Sequence, residues 1–298
     1  MSEFRSGFVT LVGRPNVGKS TLMNQIVGQK VSIVSDRPQT TRTQVRGVHT
    51  TRSSQLVFLD TPGIHRPRTL LGERTNQRAL ATLAEVDVVC QVVAANEGIG
   101  PGDEFVARLV AESGTASVLV VNKIDAATKA DTARRLADAA ARLGDFSAYV
   151  PLSARTGDGV EALVSELEAR MPEGPEYYPA GMVSDQPETT LAAELVREKL
   201  LAVARDELPH SIGVTGELLE AAADEDPDVL RVKVVIRVER DSQKGIVIGK
   251  GGAVLRDAGT RARKELEALL GIRVYLETKV RVDKDWQRKA SSLDRLGL

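Results

Sequence analysis

The chain has 298 residues, a formal net charge of −1, 42% hydrophobic residues and one cysteine. This length suits two domains of ordinary size, and the sequence has no apolar run long enough to predict a membrane-spanning helix. A single cysteine excludes a disulfide framework and is typical of a protein in a reducing cytoplasm. The balanced charge hides a basic end: residues 231–298 hold seventeen Lys or Arg against nine Asp or Glu. That excess fits a nucleic-acid partner or a solvated surface equally well.

From residue 7 to about residue 170, short β-branched runs alternate with helical patterns. The strand candidates are FVTLVG, QVRGVHT, SQLVFLD, VDVVCQVVAA, ASVLVVNK and SAYVPLS. The helical candidates are KSTLMNQIVG, DEFVARLVAE, DTARRLADAAARLG and GVEALVSELEARM. This alternation predicts an α/β domain whose mostly parallel sheet carries helices on both faces.

A proline-rich stretch at residues 172–187 separates this region from a differently ordered one. We predict a first domain at 1–172, a linker at 173–190 and a second domain at 191–298. The second region reads as a helix, strands near 211–219 and 231–240, two helices around a GKGG turn, and the strand IRVYLETKVRV. This order is α+β, with a last stretch that is either a short helix or a loose tail.

A phosphate-binding loop is predicted between the first strand and the first helix. The pattern G-x-x-x-x-G-K-[ST] and the next residue comprise Gly13, Arg14, Pro15, Asn16, Val17, Gly18, Lys19, Ser20 and Thr21. Glycines let backbone amides turn toward phosphates at a helix N-terminus. We expect Lys19 to reach the β- and γ-phosphates and Ser20 to bind Mg²⁺.

Three further motifs follow in the order that a GTPase requires. They are Asp60, Thr61, Pro62 and Gly63 with the adjoining Ile64, then Asn122, Lys123, Ile124 and Asp125, then Ser153, Ala154 and Arg155. A carboxylate at Asp125 can accept both donors of the guanine edge and would face an acceptor in adenine. Asp60 is expected to hold Mg²⁺, the Gly63 amide to sense the γ-phosphate, and residues 153–155 to contact the guanine O6.

The loop SDRPQTTRTQ contains the expected switch threonine. We favour Thr41 as the residue that meets Mg²⁺, with Thr40 as the alternative. The predicted metal ligands are therefore Ser20, Thr41 and Asp60, and the predicted catalytic residues are Lys19, Thr41, Asp60 and Gly63.

Many GTPases place a water-orienting glutamine where this chain has Ile64. An aliphatic side chain cannot orient water, so unassisted hydrolysis should be slow. Asn16 is a candidate ligand for K⁺, which could supply charge to the transition state, whereas His65 is a weaker candidate for a general base.

A second glycine turn, Gly249 to Gly252, joins two predicted helices near the basic end. A G-x-x-G turn of this kind clamps about four nucleotides in KH modules. The predicted RNA-binding residues are Ile246, Val247, Ile248, Gly249, Lys250, Gly251, Gly252 and Arg256.

The segments GRPNVGKSTLMN, PQTTR, DTPGIH, NKID, LSAR, ELPHS and VERDSQKGIVIGKGG together resemble the Era family of bacterial GTPases. The resemblance implies a Ras-like P-loop G domain followed by a C-terminal type II KH domain. It also implies hydrolysis of GTP to GDP with Mg²⁺, stimulation by RNA and potassium, and binding to the 3′ end of 16S rRNA. The implied role is assembly of the 30S subunit, in the cytoplasm and at the inner membrane face, with RNA access set by the nucleotide.

One alternative stays open from the residues alone. The chain could be chiefly an RNA-binding scaffold in which the nucleotide sets conformation and hydrolysis is incidental. Lys19, Asp60 and the threonine pair favour the switch, whereas Ile64 leaves room for the scaffold.

Overall fold

A computed structural model describes residues 4–37, 40–64, 67, 69–204, 208–220 and 226–298. The chain divides into two units that are not contiguous in sequence. The first comprises Met1–Ser32, Thr41–Arg68 and Gly72–Asp185, and the second comprises Ile33–Thr40, Thr69–Leu71 and Gln186–Leu298. Two short segments from the nucleotide-binding part of the sequence therefore belong to the second unit.

The first unit is built on a six-stranded sheet with the order β2-β3-β1-β4-β5-β6. Its strands are β1 (Arg5–Val12), β2 (Val45–Thr50), β3 (Ser54–Asp60), β4 (Val88–Ala94), β5 (Ala116–Asn122) and β6 (Ala148–Pro151). Its helices are α1 (Lys19–Val27), α2 (Leu70–Leu83), α3 (Pro101–Ser113), α4 (Lys129–Arg142) and α5 (Val160–Glu168). Only the β2–β3 pair is antiparallel among the described strands of this sheet.

The central strands of this sheet are buried along their whole length. Every residue of β3 and β4 is buried, as expected for strands covered on both faces. Cys90 lies in β4, and burial raises the pKa of its thiol to about 12. The predicted α/β arrangement is confirmed, and it brings the carboxyl ends of β1, β3 and β5 to one edge of the sheet, where ligands bind in such folds.

Helix α2 is absent from the sequence-based prediction. Its buried residues Leu71, Ala79 and Leu83 keep a helical spacing, but polar residues and a glycine separate them. The weak apolar stripe explains why the periodicity did not reveal this helix.

Much of the stretch predicted as a linker lies along the edge of the first sheet. The Val48 amide donates to the carbonyl of Val183 at 2.9 Å, and the Gln55 amide group donates to the carbonyl of Tyr178 at 2.9 Å. The next helix begins at Glu188, inside the predicted linker of 173–190. The polar contacts show that prolines here mark a surface crossing as well as a boundary.

The second unit contains a three-stranded sheet with the order β7-β8-β9. Its strands are β7 (Gly213–Leu218), β8 (Val229–Val238) and β9 (Arg273–Val282), and its helices are α6 (Glu188–Val203), α7 (Leu208–Ser211), α8 (Asp241–Ile248), α9 (Ala253–Leu270) and α10 (Ala290–Arg295). The β7–β8 pair is antiparallel and the β8–β9 pair is parallel. Apolar residues of α6, α8 and α9 share a core with one face of this sheet. Between β7 and β8 the sequence has an acidic run at 217–228, of which residues 221–225 lie outside the described part of the chain.

The C-terminal stretch is a packed element of this unit, so the loose-tail alternative is wrong. Trp286 is fully buried beside Leu71, Leu293 and Leu296, and its indole N–H donates to the carbonyl of Ser211 at 2.9 Å. Ile33 similarly enters the core shared by the helices and the sheet, where 3% of its side chain is exposed. None of the helices in the described residues is long and apolar enough to cross a membrane.

Candidate nucleotide and nucleic-acid sites

The phosphate loop requires glycine at two positions where β4 and β5 lie too close for a side chain. Gly13 has φ 150° and a Cβ there would lie 2.4 Å from the Val92 carbonyl oxygen, while a Cβ at Gly18, with φ 98°, would lie 2.3 Å from Asn122 Nδ2. Asn16 adopts a left-handed φ of 67°, which costs free energy outside glycine and clusters at functional sites. The loop is therefore held in one conformation by β4 and β5.

Lys19 is buried at the start of α1 and turns back over the loop. Its Nζ donates to the carbonyls of Gly13 and Arg14 at 3.1 and 3.0 Å. Burial lowers the pKa of its amine to about 8, and the nearby Asp60 carboxylate offsets part of this effect. A cation enclosed by backbone carbonyls in this position is ready to exchange them for phosphate oxygens.

Four oxygen-bearing side chains meet at the end of β3. Three hydroxyls donate to Oδ2 of the fully buried Asp60: Ser20 at 2.6 Å, Ser32 at 2.9 Å and Thr41 at 3.3 Å. Asp60 Oδ1 is buried and has no hydrogen-bond partner within the described residues. Burial raises the pKa of Asp60, against the hydrogen bonds and the charge of Lys19.

This oxygen cluster fits a magnesium ion. Mg²⁺ prefers hard oxygen ligands and usually takes one or two carboxylates together with phosphates and water. The orphaned Asp60 Oδ1 and the hydroxyls of Ser20 and Thr41, 3.1 Å apart, are such ligands. Ser32 belongs to the same cluster and was not predicted, because nothing in its sequence context marks it.

The two candidate switch threonines occupy different environments. Thr41 faces Ser20 and Asp60, whereas the Thr40 hydroxyl donates to the carbonyl of Arg37 at 2.6 Å. The Thr40 carbonyl accepts a hydrogen bond from the buried Arg197. The geometry thus favours Thr41 over Thr40 as the metal-side residue.

The segment after β3 places one predicted side chain away from the site. Ile64 is 3% exposed and packs in the apolar core, so only its backbone could face a nucleotide. Gly63 lies against the phosphate loop, since a Cβ there would be 3.1 Å from the Pro15 nitrogen, and the Thr61 hydroxyl donates to the Leu11 carbonyl at 3.1 Å. His65 lies outside the described residues.

Asn122 ties three loops of the site together. Its Nδ2 donates to the Val17 carbonyl at 2.8 Å, and its Oδ1 accepts from the amides of Lys123 and Ala154 at 2.8 and 2.9 Å. Residues 153–155 were predicted to contact the guanine O6 through their backbone, and in this structure the Ala154 amide donates to Asn122. The buried amide group therefore acts as a clamp between the phosphate loop and the base-recognition loops.

Asp125 follows in the turn that begins at Ile124 and presents a charged carboxylate. The Ser153 hydroxyl donates to its Oδ1 at 2.5 Å, and Arg155 pairs with its Oδ2 at 2.5 Å. The Ser153 hydrogen bond and the Arg155 charge lower the pKa of Asp125. An ionised carboxylate is what recognition of guanine's two donors requires.

Arg14 points away from the loop that carries it. Its Nε pairs with the buried Asp103 at 2.8 Å and its Nη2 with Glu97 at 3.3 Å, and Glu97 also lies 3.7 Å from Lys123 Nζ. These acids follow β4 and were not predicted. Glu97 connects Arg14 of the phosphate loop with Lys123 of the base-recognition motif.

An open hollow of about 390 Å³ lies between α1 and the loop after β6. Its lining residues are Thr21, Asn24, Gln25, Gly28, Gln29, Lys30, Ala154 and Arg155. Asn24, Gln25 and Gly28 were missed, although they continue the helical face that begins at Thr21.

The second glycine turn joins α8 to α9 in a conformation that only glycine adopts easily. Gly249, Gly251 and Gly252 have φ of 73°, 59° and 78°. A Cβ at Gly249 would lie 2.5 Å from a methyl of Val254, whereas the position at Gly251 faces open space. Lys250 is exposed beside it, so the turn offers a backbone ridge and a cation to an approaching ligand.

The three apolar residues before this turn do not share one surface. Ile246 is 58% exposed, Ile248 is partly buried, and Val247 is 2% exposed within the core of the second unit. Val247 was predicted among the RNA-binding residues, but its side chain packs in the core and is not available to RNA. Arg256 stays near the turn, with Nη2 donating to the Gly251 carbonyl at 3.3 Å.

A hollow of about 320 Å³ runs from this turn between α9 and β9. It is lined by Gly252, Leu255, Arg256, Gly259, Thr260, Arg263, Leu276 and Thr278. The helical members recur at spacings of three and four, a signal present in the sequence but not used. The two arginines in this lining suit the phosphates of a single-stranded RNA.

Comparisons with known proteins match both parts of the chain. A family model described as a 50S ribosome-binding GTPase matches residues 8–123, and a KH-domain model matches residues 207–287. GTPase Era of Mycobacterium sp. (strain JLS) is 50% identical over 300 residues and that of Mycolicibacterium smegmatis is 48% identical over 299, with all of both chains covered. The chain belongs to the Era family of GTPases.

Two solved Era structures confirm the predicted fold, a Ras-like G domain followed by a KH domain. Era of Aquifex aeolicus bound to GDP·AlF₄⁻ and an Era complex with MgGDPNP and nucleotides 1506–1542 of 16S ribosomal RNA each match with a TM-score of 0.94. Each is 38% identical, and 99% of both chains is covered. As an Era-family protein the chain is a GTPase, so the predicted activity is confirmed.

Proposed function

We propose that this chain hydrolyses GTP with Mg²⁺, binds the 3′ end of 16S rRNA and acts in assembly of the small ribosomal subunit. One observation carries the proposal. A buried lysine and an orphaned carboxylate oxygen meet at the first glycine turn, and a cationic hollow opens beside the second. The Era relative that holds both MgGDPNP and 16S rRNA supports the same pairing of ligands.

In the nucleotide site, Lys19 would pair with the phosphates, while Ser20, Thr41 and Asp60 would hold Mg²⁺. The ion, when bound, neutralises charge on the phosphate oxygens. Asp125 would select guanine. Because Ile64 is packed into the core, no side chain at that position orients water, and we expect K⁺ near Asn16 and bound RNA to accelerate a slow reaction.

The second unit offers a route by which the nucleotide could set RNA access. Within it, the Val34 amide donates to Glu198 at 2.9 Å and Arg197 donates to the Thr40 carbonyl. Glu198, which accepts the first hydrogen bond, and Arg197, which donates the second, both lie on α6. Thr41 directly follows Thr40 in the chain. A change in the position of Thr41 would therefore displace Thr40, which is hydrogen-bonded to Arg197 of α6.

Helix α6 is in turn paired with the helix that follows the second glycine turn. Lys199 bridges Glu198, at 2.7 Å, and Glu265 of α9. A displacement of α6 would therefore reach α9, whose first residues adjoin the turn. Such a two-position element biased by a nucleotide is how GTPase switches usually work.

The deciding experiment is GTP hydrolysis with and without an RNA copying the 3′ end of 16S rRNA, in potassium and in sodium. We expect RNA and potassium each to raise turnover, and an RNA of scrambled sequence to have no effect. Bound RNA without any change in turnover would instead favour the scaffold function, for which the buried Ile64 leaves room.

The protein would act in the cytoplasm, where its RNA partner lies. Peripheral contact with the inner membrane belongs to the same proposal and comes from the family resemblance. Binding of the full chain to vesicles of anionic lipid would test it.

A further inference from the structure

One face of the sheet of the second unit packs on α6, α8 and α9. The opposite face is covered in part, since a Cβ at Gly213 would lie 3.3 Å from Leu296 and Trp286 and Val235 is buried. Side chains alternate along a strand, and the buried residues of β8 and β9 point to the core shared with the helices. Six of the opposite, outward positions on these two strands are basic: Arg231, Lys233, Arg237, Arg273, Lys279 and Arg281. We call them the basic sheet face. Glu277 is the one acidic residue among the outward positions of these two strands.

Like charges face each other across the parallel strands of this sheet. Arg237 is paired in register with Arg281, and Arg295 lies close to it. Partial burial and these two cations lower the pKa of Arg237, the nearby carboxylates of Asp283 and Glu217 offset part of this effect, and its Nη1 donates to the uncharged Thr215 hydroxyl at 2.8 Å. Directly opposed like charges destabilise a sheet, so an arrangement of this kind is expected where an anionic ligand is bound.

The basic sheet face is only partly neutralised by the protein itself. Lys233 pairs with Glu277 at 3.3 Å, and Arg273 pairs with Asp226. Over the described ranges of the chain, Lys279 and Arg281 form no ion pair. From Arg273 to Arg281 the charges extend over roughly 26 Å of strand, which suits an elongated anion better than a small one.

An aromatic ring lies within this row of charges. Tyr275 is 49% exposed, and the Arg231 guanidinium lies over its ring, 5.6 Å from the centroid. Arginine and tyrosine stacked in this way form a flat platform, and exposed rings next to cations are typical of surfaces that take unpaired bases.

We propose that the basic sheet face binds the phosphates of a second stretch of RNA, separate from the stretch held at the second glycine turn. The inference rests on the proposed function. A G-x-x-G turn clamps about four nucleotides, so an RNA as long as nucleotides 1506–1542 of the Era complex has backbone left over for another surface.

An anionic membrane would be drawn to the same charges but fits the surface less well. Interfacial binding also uses apolar side chains that enter the headgroup region. Among the outward positions of β8 and β9, Tyr275 is the one large hydrophobic residue that is exposed. Arginines, in contrast, match phosphate oxygens with two parallel hydrogen bonds.

The test uses the full chain and the double variant Lys279→Gln/Arg281→Gln. Two RNAs are titrated over a range of salt: one copying nucleotides 1506–1542 of 16S rRNA, and one of about ten nucleotides, enough to cover the turn. For the long RNA we expect Kd to rise about tenfold, and the slope of log K against log salt to lose about 1.4 to 1.8 in magnitude. For the short RNA we expect the same Kd as the wild type.

A matched variant, Arg108→Gln/Lys129→Gln, removes two exposed positive charges from helices of the first unit and should leave both RNAs bound as before. Equal effects of the two double variants would overturn the proposal, since general charge would then explain the loss. So would a wild type that binds the long RNA no more tightly than the short one. A wild type that binds neither RNA would instead defeat the proposed function.

The aromatic contact has its own variants. Tyr275→Ala should raise the Kd for the long RNA by about fivefold or more. Tyr275→Phe keeps the ring, so its Kd for the long RNA should match that of the wild type. Vesicles of anionic lipid form a parallel arm. Vesicle binding that the Lys279→Gln/Arg281→Gln variant loses, with RNA binding unchanged, would assign the face to a membrane and overturn the proposal.

Discussion

Lys19 contributes to the nucleotide site through its charge and its enclosed position. The amine is buried and its hydrogen bonds go to the carbonyls of Gly13 and Arg14. Lys19→Ala should weaken GDP and GTP binding at least a hundredfold, because charge-assisted bonds to phosphate are lost and nothing replaces them. Titration with a fluorescent nucleotide measures this, with Lys129→Ala on α4 as the control. Near wild-type affinity in Lys19→Ala would contradict the phosphate-loop assignment.

Cys90 illustrates a residue whose chemistry is suppressed by its position. Its thiol is fully buried in β4, and burial raises its pKa to about 12. Since the thiolate is the reactive form, we expect no alkylation of the native chain by iodoacetamide at pH 8 and complete alkylation in denaturant. Mass spectrometry gives the answer, and rapid labelling of the folded chain would mean that β4 opens locally.

At the scale of elements, the second glycine turn depends on a backbone that other residues adopt with strain. Gly251 has φ 59° and faces open space. Gly251→Asp places a negative charge where phosphates would lie, so RNA affinity should fall at least tenfold while hydrolysis without RNA is unchanged. Gly271→Asp is the matched control, since Gly271 also has a positive φ, of 70°, and open surroundings but ends α9 instead of beginning it. Equal RNA affinities for the two variants would count against the turn as an RNA clamp.

The hollow between α9 and β9 allows a test that separates stability from binding. A Cβ at Gly259 would lie 3.7 Å from the Thr278 methyl, an ordinary contact. Gly259→Ala should therefore raise the free energy of unfolding by about 0.5 to 1 kcal/mol, because alanine has the higher helix propensity. It should also lower the affinity for RNA, because the added methyl narrows the hollow. Adding Thr278→Ser removes the opposing methyl and should restore RNA affinity. Thermal melts and RNA titrations measure the two effects, and a Gly259→Ala chain that binds RNA normally would exclude the hollow from the site.

The sequence was most informative where one residue type satisfies a unique geometric need. The phosphate loop could be predicted because Gly13 and Gly18 have no room for a Cβ and Lys19 must follow. The role of Ser32 could not be predicted, because its hydroxyl contacts Asp60 only in the folded chain. Local pattern likewise failed for Val247, because alternate burial within one turn of helix depends on what packs against it.

The larger elements follow the same division. Strands β3 and β4 are continuous apolar runs, so their burial could be predicted. Helix α2 has only a broken apolar stripe and was missed. The two hollows were missed for a further reason: each is lined by residues from separate segments, and one chain without its tertiary contacts does not reveal which segments adjoin.

At the scale of the whole molecule, the near-zero net charge hides separate acidic and basic segments. The net charge of −1 combines a basic end with an acidic run, so the chain as a whole is not drawn to polyanions, whereas residues 231–298, with seventeen Lys or Arg against nine Asp or Glu, are. This separation favours an oriented encounter with RNA, because the field near the basic strands steers a polyanion toward them. It also predicts strongly salt-dependent RNA binding despite a sequence pI near 6.4.

The discontinuous second unit has a consequence for its stability. Ile33 and Leu71 are each 3% exposed in its two apolar clusters, and a fragment of residues 186–298 would lack both. Losing a buried Ile or Leu side chain costs about 2 to 5 kcal/mol. We expect the fragment to unfold at a lower urea concentration than the full chain, as measured by the fluorescence of Trp286. The emission of Trp286 in the fragment should also be shifted to the red. An equally stable fragment with unshifted emission would contradict this.

Ile33 and Leu71 also bear on how the gene can be divided. A cloning boundary near residue 186 looks natural from the order of motifs, yet the second half then lacks two segments of its own folding unit. During synthesis, the RNA-binding part would have to wait for its own last residues although two of its segments had left the ribosome long before. Variants that lack the C-terminal helix α10, whose Leu293 packs with Leu71 and Trp286, should therefore appear in the insoluble fraction before any defect in nucleotide binding is seen.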